Sequence, residues 1–135
     1  MKVFGSLIVL AGVLALTAGC GGGPAGPKMY VVKGLVQFDS KPVETGRIQF
    51  RKKEGDQRAF SAEIKDGNYS LETESGPMVV EITASRLIPG KFSNFNGKPE
   101  PVGEMYLPAK YNSKTTLTAD VKPSANTIPF DLTSK

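Results

Sequence analysis

The chain has 135 residues, a formal net charge of +4, one cysteine and no histidine. The absence of histidine removes the commonest general base near neutral pH and the usual metal ligand, and a single cysteine excludes an internal disulfide. So small an excess of positive charge on a chain of one domain's length does not indicate nucleic-acid binding.

The first 19 residues have the organisation of an export signal. One cation, Lys2, precedes an uncharged apolar span from Val3 to Leu16, and small residues follow up to Cys20. The span holds about 14 residues, fewer than the roughly 20 that a membrane-spanning helix needs. We therefore predict that residues 1–19 are a cleaved signal peptide.

The end of this signal carries a more specific pattern. The run Leu16-Thr17-Ala18-Gly19-Cys20 resembles the lipobox of bacterial lipoproteins, with Thr17 at the position where leucine is usual. The resemblance implies that Cys20 carries acyl chains such as palmitate, which anchor the protein in a membrane of the cell envelope, outside the cytoplasm. Gly21 implies sorting to the outer membrane if the cell is Gram-negative. The alternative is an ordinary secretory signal that is cut elsewhere, with Cys20 as a buried free cysteine.

Composition separates a tether from a folded domain. Gly21 to Pro27 contains only Gly, Pro and Ala, so residues 20–28 are predicted to be the lipidated cysteine and a flexible spacer. Residues 29–135 are predicted to form one domain. Their local cationic run, Arg51-Lys52-Lys53, is interpreted as a solvated turn, with contact to anionic lipid or polysaccharide as the alternative.

Apolar and polar residues alternate through most of this domain, which is typical of strands with one buried face. Seven strands are predicted, with these inward residues in chain order: Tyr30, Val32, Val36 and Phe38; Ile48 and Phe50; Phe60, Ala62 and Ile64; Tyr69, Leu71 and Thr73; Met78, Val80, Ile82 and Ala84; Leu117, Ala119 and Val121; Ile128, Phe130 and Leu132. Asp66-Gly67 predicts a tight hairpin between the third and fourth strands. No segment has the apolar spacing of a helix. The prediction is an all-β fold, a seven-stranded antiparallel β-sandwich of two packed sheets.

Three regions of the domain resemble a known family. The stretch from Val32 to Phe50 resembles the opening hairpin of carboxypeptidase regulatory-like domains, V-x-G-x-V-x-x-D/N-G-K-P-V-x-G-x-I/V-x-F, and Asp66-Gly67-Asn68-Tyr69 matches their D-G-x-Y element. Leu107 to Asn112, followed by Thr115 to Val121, is similar to the closing part of small bacterial lipoproteins built on this domain. The resemblance implies a transthyretin-like (prealbumin-like) sandwich. Ser40 stands where the family has glycine, which implies a change of turn type.

The same resemblance narrows the chemistry. The zinc carboxypeptidases to which such domains are appended, and the hydroxyisourate hydrolases of the transthyretin-like fold, need histidines that this chain lacks. Glu72 with Glu74, and Glu100 with Glu104, are candidate acid–base pairs. We interpret all four as solvated surface, because the first two share an outward strand face and the others lie in a Gly- and Pro-rich loop. The sequence therefore predicts no catalytic residue, no metal site and no cofactor.

Residues 86–106 are predicted to be a long irregular loop, and such loops often carry function. The candidate binding residues are Phe92, Asn94, Phe95, Asn96, Lys98 and Tyr106. Their aromatic faces and amides are suited to stacking on sugar rings. The alternative is that the aromatic residues pack the loop onto an open end of the sandwich.

Two functional hypotheses follow from these observations. The first is a non-catalytic, lipid-anchored β-sandwich that acts as a structural or protein-interaction module of the cell envelope. The second is a glycan- or peptide-binding module that uses residues 86–106. The predicted partners are a membrane, through the lipid anchor, and an envelope protein or polysaccharide, with no nucleic acid. No sequence feature indicates an oligomeric state, although edge strands offer unpaired backbone groups.

Overall fold

A computed structural model describes residues 26–135, so the predicted signal peptide, Cys20 and most of the tether lie outside the described residues. The described part forms eleven strands and one short 3-10 helix, η1: β1 Tyr30–Phe38, β2 Lys41–Pro42, β3 Thr45–Lys52, β4 Ala59–Lys65, β5 Asn68–Thr73, β6 Gly76–Thr83, β7 Ser85–Phe95, β8 Lys98–Met105, η1 Ala109–Tyr111, β9 Thr118–Val121, β10 Asn126–Thr127 and β11 Phe130–Leu132. No helix in residues 26–135 has the length and hydrophobicity needed to cross a membrane. The predicted all-β fold is confirmed.

Nine of these strands form one hydrogen-bonded sheet, in the order β10-β1-β5-β4-β3-β6-β9, with β2 and β11 also paired to β1. Strands β7 and β8 form a separate two-stranded sheet. The described residues therefore contain more strands than the seven predicted. Pairing is antiparallel except that β10 and β11 run parallel to β1, which corrects the expectation of purely antiparallel pairing.

The large sheet curls over at the turn between β4 and β5. Asp66 and Gly67 both have positive φ, 50° and 82°, the geometry of the tight hairpin that the sequence predicts. Beyond this turn β4 and β5 share only the pair Lys65 and Asn68, and then β4 follows β3 while β5 follows β1. The two halves of the sheet face each other, and the ring of Phe50 on β3 lies 6.2 Å from that of Phe130 on β11.

The core fills the space between these halves. Every residue predicted to face inward is buried or half-buried, because the alternation of side chains along a strand is a local property. The core also contains residues outside the seven predicted strands: Val43, Leu107 and Tyr111. Asn112 is buried beside them, and its side-chain amide donates a hydrogen bond to the carbonyl of Pro108 at 3.1 Å.

The C-terminal segment is fixed to β1 by a close backbone approach at Gly34. The amide of Ile128 donates to the carbonyl of Lys33 at 2.8 Å, and the hydroxyl of Tyr69, which lies opposite Gly34 on β5, donates to the carbonyl of Ile128 at 2.6 Å. A Cβ at position 34 would overlap the Ile128 carbonyl oxygen and lie 2.8 Å from Tyr69 Cε1. Burial raises the pKa of the Tyr69 phenol above its ordinary value, so the hydroxyl remains a donor.

Ser40 lies in the tight turn between β1 and β2. Asp39 and Ser40 both have positive φ, 49° and 64°, and Phe38 pairs with Lys41 across them. This is the two-residue hairpin geometry that an Asp-Gly pair favours. Serine adopts the left-handed conformation here, which residues other than glycine seldom take.

Glu74 is buried rather than solvated, which corrects the sequence-based interpretation. Strand β5 ends at Thr73, so the alternation that leaves Glu72 exposed does not extend to the next glutamate. The Glu74 carboxylate lies 2.7 Å from Lys52 Nζ and 3.1 Å from Arg58 Nη1, and its hydrogen bond to Lys52 raises the pKa of that ammonium group. Lys52, in the cationic run at residues 51–53, thus forms an ion pair that joins the end of β3 to the residue after β5.

We expect Gly34→Ala to lower the free energy of unfolding by about 2–3 kcal/mol, because the added methyl group forces β10 away from β1. Gly103→Ala is the matched control: its Cβ would meet only the carbonyl oxygen of Arg86, at 3.7 Å, and we expect a change within about 0.5 kcal/mol. Urea denaturation of the two variants and the wild-type protein measures both values. Equal stability of the two variants would contradict the packing role of Gly34.

Candidate functional site

Residues 85–105 form a two-stranded antiparallel hairpin, here called the arm, which corrects the predicted irregular loop. Within residues 26–135, strands β7 and β8 pair only with each other. Every residue of the arm is exposed except Ile88 and Val102, which are half-buried. Among the large apolar residues of the described chain, the most exposed are on the arm: Phe95 at 67%, Leu87 at 65% and Phe92 at 62%. The arm therefore presents apolar side chains to solvent that the core does not use.

The outer end of the arm closes at Asn96-Gly97. Both residues have positive φ, 54° and 77°, and Phe95 pairs with Lys98 across them. An Asn-Gly pair between strands is the strongest short-range hairpin signal in a sequence, and it is the signal that the prediction of a loop overlooked. Nearer the base, the register shifts between Leu87 and Phe92.

The register divides the arm into an apolar face and a charged face, because directly paired residues lie on the same side of a sheet. The apolar face consists of Leu87, Phe92, Asn94, Pro99, Pro101, Gly103 and Met105. The charged face consists of Arg86, Ser93, Phe95, Lys98, Glu100, Val102 and Glu104. All charges of the paired positions thus lie on one side, and the other side offers a surface without charge.

The structure separates the predicted site residues into different places. Phe92 and Asn94 are on the apolar face, Phe95 and Lys98 are on the charged face, and Asn96 is in the turn. Because the two phenylalanine rings lie on opposite faces, they do not form one aromatic platform. Both rings are exposed, so the alternative that they pack onto the end of the sandwich is wrong for these two residues.

Tyr106 lies apart from the others, at the base of the arm. Its ring packs edge-on against Phe38, with centroids 5.8 Å apart, and the guanidinium of Arg86 lies 5.4 Å from the ring centroid. Arg86 also pairs with Glu104 at 3.0 Å. Burial, with the nearby charge of Glu44, raises the pKa of Tyr106, so the phenol stays neutral and joins the arm to the body by packing.

A groove of about 960 Å³ opens where the arm meets the body. Its lining includes Phe38, Glu44, Asp66, Arg86 and Tyr106. Carboxylates and cations are mixed there. Within residues 26–135 no group of three or more His, Cys, Asp or Glu side chains is placed to hold a metal ion. The groove thus combines side chains of both charge signs with the rings of Phe38 and Tyr106.

The arm and the predicted anchor belong to opposite ends of β1. The tether enters at Tyr30, where β1 begins, and the base of the arm packs against Phe38, where β1 ends. The Cα atoms of Tyr30 and Phe38 are eight residues apart along the strand. At 3.3 Å per residue this is a distance of about 26 Å. The base of the arm therefore lies at the opposite end of β1 from the residues that precede Tyr30.

The arm also contains functional candidates that sequence reasoning missed. Leu87 and Met105 are exposed and lie on the apolar face with Pro99 and Pro101. The signal for them is the alternate spacing of residues 99, 101, 103 and 105 after Asn96-Gly97. Residues spaced by two share one face only in a strand, so this signal can be used only after the segment is assigned as a strand.

No protein-family model matches this sequence, and no curated protein is significantly similar to it. Among solved structures, a DUF3823 family protein from Parabacteroides merdae matches with 13% identity and a TM-score of 0.44, over 78% of this chain and 46% of that chain. A 9R-lipoxygenase from Cyanothece matches with 7% identity and a TM-score of 0.36, over 78% of this chain and 16% of that chain. This chain spans less than half the length of either structure.

We expect the body to fold without the arm. Replacing residues 86–104 by Asn-Gly joins Ser85 to Met105, which are already paired, through a turn suited to a hairpin. Because the arm buries little, the free energy of unfolding should change by less than about 1 kcal/mol. Leu107→Ala, at a buried position just beyond the arm, should cost about 2–5 kcal/mol. Urea denaturation measures both, and unfolding of the arm-less variant would show that the arm is part of the core.

Proposed function

We propose that this protein is a non-catalytic, lipid-anchored module of the bacterial cell envelope that presents its arm to a protein partner. The observation that carries the proposal is the arm itself, an exposed hairpin with an uncharged apolar face that belongs to no core. A two-stranded hairpin alone is marginally stable in water, and further strands or packing stabilise it. Binding to a partner would supply both.

We also propose that residues 29–135 are a carboxypeptidase regulatory-like, transthyretin-like sandwich. Gly34 corresponds to the first glycine of the family pattern, and Gly46 to a later one with one extra residue after Val43. A Cβ at these positions would clash with the carbonyls of Ile128 and Thr83. The Asp66-Gly67 turn directs the sheet to curl. The glycines of the family pattern thus lie where the backbone approaches another strand too closely for a side chain. This agreement supports the proposed family.

The anchor part of the proposal rests on the sequence of residues 1–20, which resembles a lipoprotein signal ending at Cys20. A lipid anchor of more than one acyl chain holds a protein stably in a membrane. With the tether joined to the start of β1 and the arm at its end, an anchored domain holds its binding surface away from the point of attachment. This arrangement suits a structural or adaptor role.

A peptide- or glycan-binding module is the second candidate, favoured by the exposed rings of Phe92 and Phe95. The placement of the two rings on opposite faces leaves a sugar only one ring on which to stack. An extended peptide has the better fit of the two ligands, because it can pair with a strand edge while a side chain contacts the neighbouring ring. Unchanged affinity for every tested peptide and glycan in Phe92→Ala and Phe95→Ala would exclude this candidate.

The anchor is tested by Cys20→Ser in the full-length protein. We expect the wild-type protein in the membrane fraction, with acyl chains on Cys20 found by mass spectrometry, because the buried methylenes hold it there at about 0.8 kcal/mol each. The serine variant should be released or remain uncleaved. An unmodified thiol in the mature wild-type protein would overturn the lipid anchor and leave the role of the arm open.

The partner role is tested by comparing the wild-type protein with the variant in which Asn-Gly replaces residues 86–104. Both proteins are cross-linked in the intact envelope and purified, and the wild type should capture a protein that the arm-less variant does not. Equal lipidation and abundance of the two forms is the control. Identical captured material would contradict the proposal, as would turnover of ester, peptide or glycosidic substrates by the purified protein.

A further inference from the structure

The two outer edges of the arm differ in the backbone groups that they offer to another strand. Four residue pairs form its outer end: Phe92 with Pro101, Ser93 with Glu100, Asn94 with Pro99 and Phe95 with Lys98. Antiparallel pairs alternate between those that exchange two hydrogen bonds and those that exchange none. Proline has no N–H, so the two pairs that contain proline belong to the second kind.

It follows that Phe92 and Asn94 direct their N–H and C=O groups away from β8, to the open edge of β7. On the other edge, Pro99 and Pro101 leave only carbonyl groups. Proline on an edge strand is a common protection against the addition of a further strand. The arm is therefore protected along β8 and open along β7, and residues 91–101 are all exposed.

We propose that the open edge of β7 pairs with β7 of a second copy of this chain, antiparallel and centred on Ser93. Phe92 of each copy then exchanges backbone hydrogen bonds with Asn94 of the other, and the two hairpins become one four-stranded sheet. This inference rests on the proposed function and deepens it, because it names the protein partner of the arm.

The asymmetry of the two edges favours a second copy over an unrelated strand. Pairing through β7 brings the two open edges together around a two-fold axis, and it leaves only the proline-protected β8 edges outside. A closed two-fold assembly results, and growth stops at two copies. Protection of one edge alone is what such a limited self-association needs.

The charges of the arm also permit this pairing. From Phe92 to Asn96 the strand and turn carry no charge, so the central pairs oppose no like charges. In the register centred on Ser93, Lys91 lies beside Phe95 of the second copy, on the same face, where an ammonium group and an aromatic ring attract each other. If residues 92–94 carried positive charges, the two copies of β7 would repel each other in this pairing.

The pairing also enlarges the apolar face. A two-fold axis perpendicular to the sheet keeps the apolar faces of both copies on the same side, so Phe92 of one copy adjoins Asn94 of the other. Phe92, more than half exposed in the single chain, becomes part of a four-stranded surface. Three or more strands with an apolar face form a more stable unit than an isolated hairpin.

Disulfide trapping in membranes that contain the full-length protein tests the proposal. Opposite residues in a pair without hydrogen bonds have Cα atoms about 4.5 Å apart, within the range of a disulfide. Ser93→Cys should therefore give a cross-linked dimer on mild oxidation. The wild-type protein, whose only cysteine is Cys20, and Ser124→Cys, at an exposed position away from the arm, are the controls and should remain uncross-linked.

Two further variants test the edge itself. Asn94→Pro, added to Ser93→Cys, removes one outward N–H from each copy and should weaken association at least about tenfold, the loss expected for two backbone hydrogen bonds. Asn94→Ala keeps the N–H and should cross-link as strongly as the parent variant. Circular dichroism checks that each variant is folded. Pro99→Thr with Pro101→Thr restores donors to β8 and should give species larger than a dimer in light scattering of detergent-solubilised protein.

Several outcomes would overturn the proposal. They are cross-linking of Ser93→Cys no greater than that of Ser124→Cys, cross-linking that survives Asn94→Pro, and the absence of larger species when both prolines are replaced. Arm-dependent capture of a different envelope protein, without a second copy, would also overturn it. That last result would leave the proposed interaction function intact, so the two failures are distinguishable.

Discussion

The contact that the rest of the fold depends on is the approach of the Ile128 backbone to Gly34, held by the Tyr69 hydroxyl. It fixes the C-terminal strand against β1, and the buried ring of Phe130, two residues further on, then packs against Tyr69 and Phe50. Glycine is required because any side chain would fill the space of the Ile128 carbonyl. A side chain at this position would move the C-terminal segment away from β1 and weaken the packing between the two halves of the curled sheet.

The core is formed without residues 85–105, so the sequence of the arm is not constrained by core packing. The segment after the arm is held independently, since the Asn112 amide bonds to backbone carbonyls around it and Tyr111 bonds to Thr133. The exposed side chains of the arm are therefore not needed to fill the core. Its uncharged face, its one protected edge and its distance from the tether are consistent with a surface for another protein chain.

The candidate site was only partly predictable from the sequence. The sequence places Phe92 and Phe95 in the segment that leaves the body, because aromatic residues among Gly, Asn and Pro stand out from the strand pattern, whereas Tyr106 packs on the body at its base. Their division between two faces and the base of the arm depends on the pairing of β7 with β8, which no local pattern specifies. Register decides which side chains share a face, and a shift of one residue would exchange them.

Sequence alone determined the features that arise from neighbouring residues: the strand faces, the Asp66-Gly67 turn and the absence of histidine chemistry. Tertiary structure decided the features that need partners distant in the chain. Glu74 is buried because Lys52 and Arg58 reach it, and β10 and β11 run parallel to β1 because the chain returns across the sheet. Alternation repeats every two residues and can be read directly, whereas a contact across the fold exists only when the whole chain has closed.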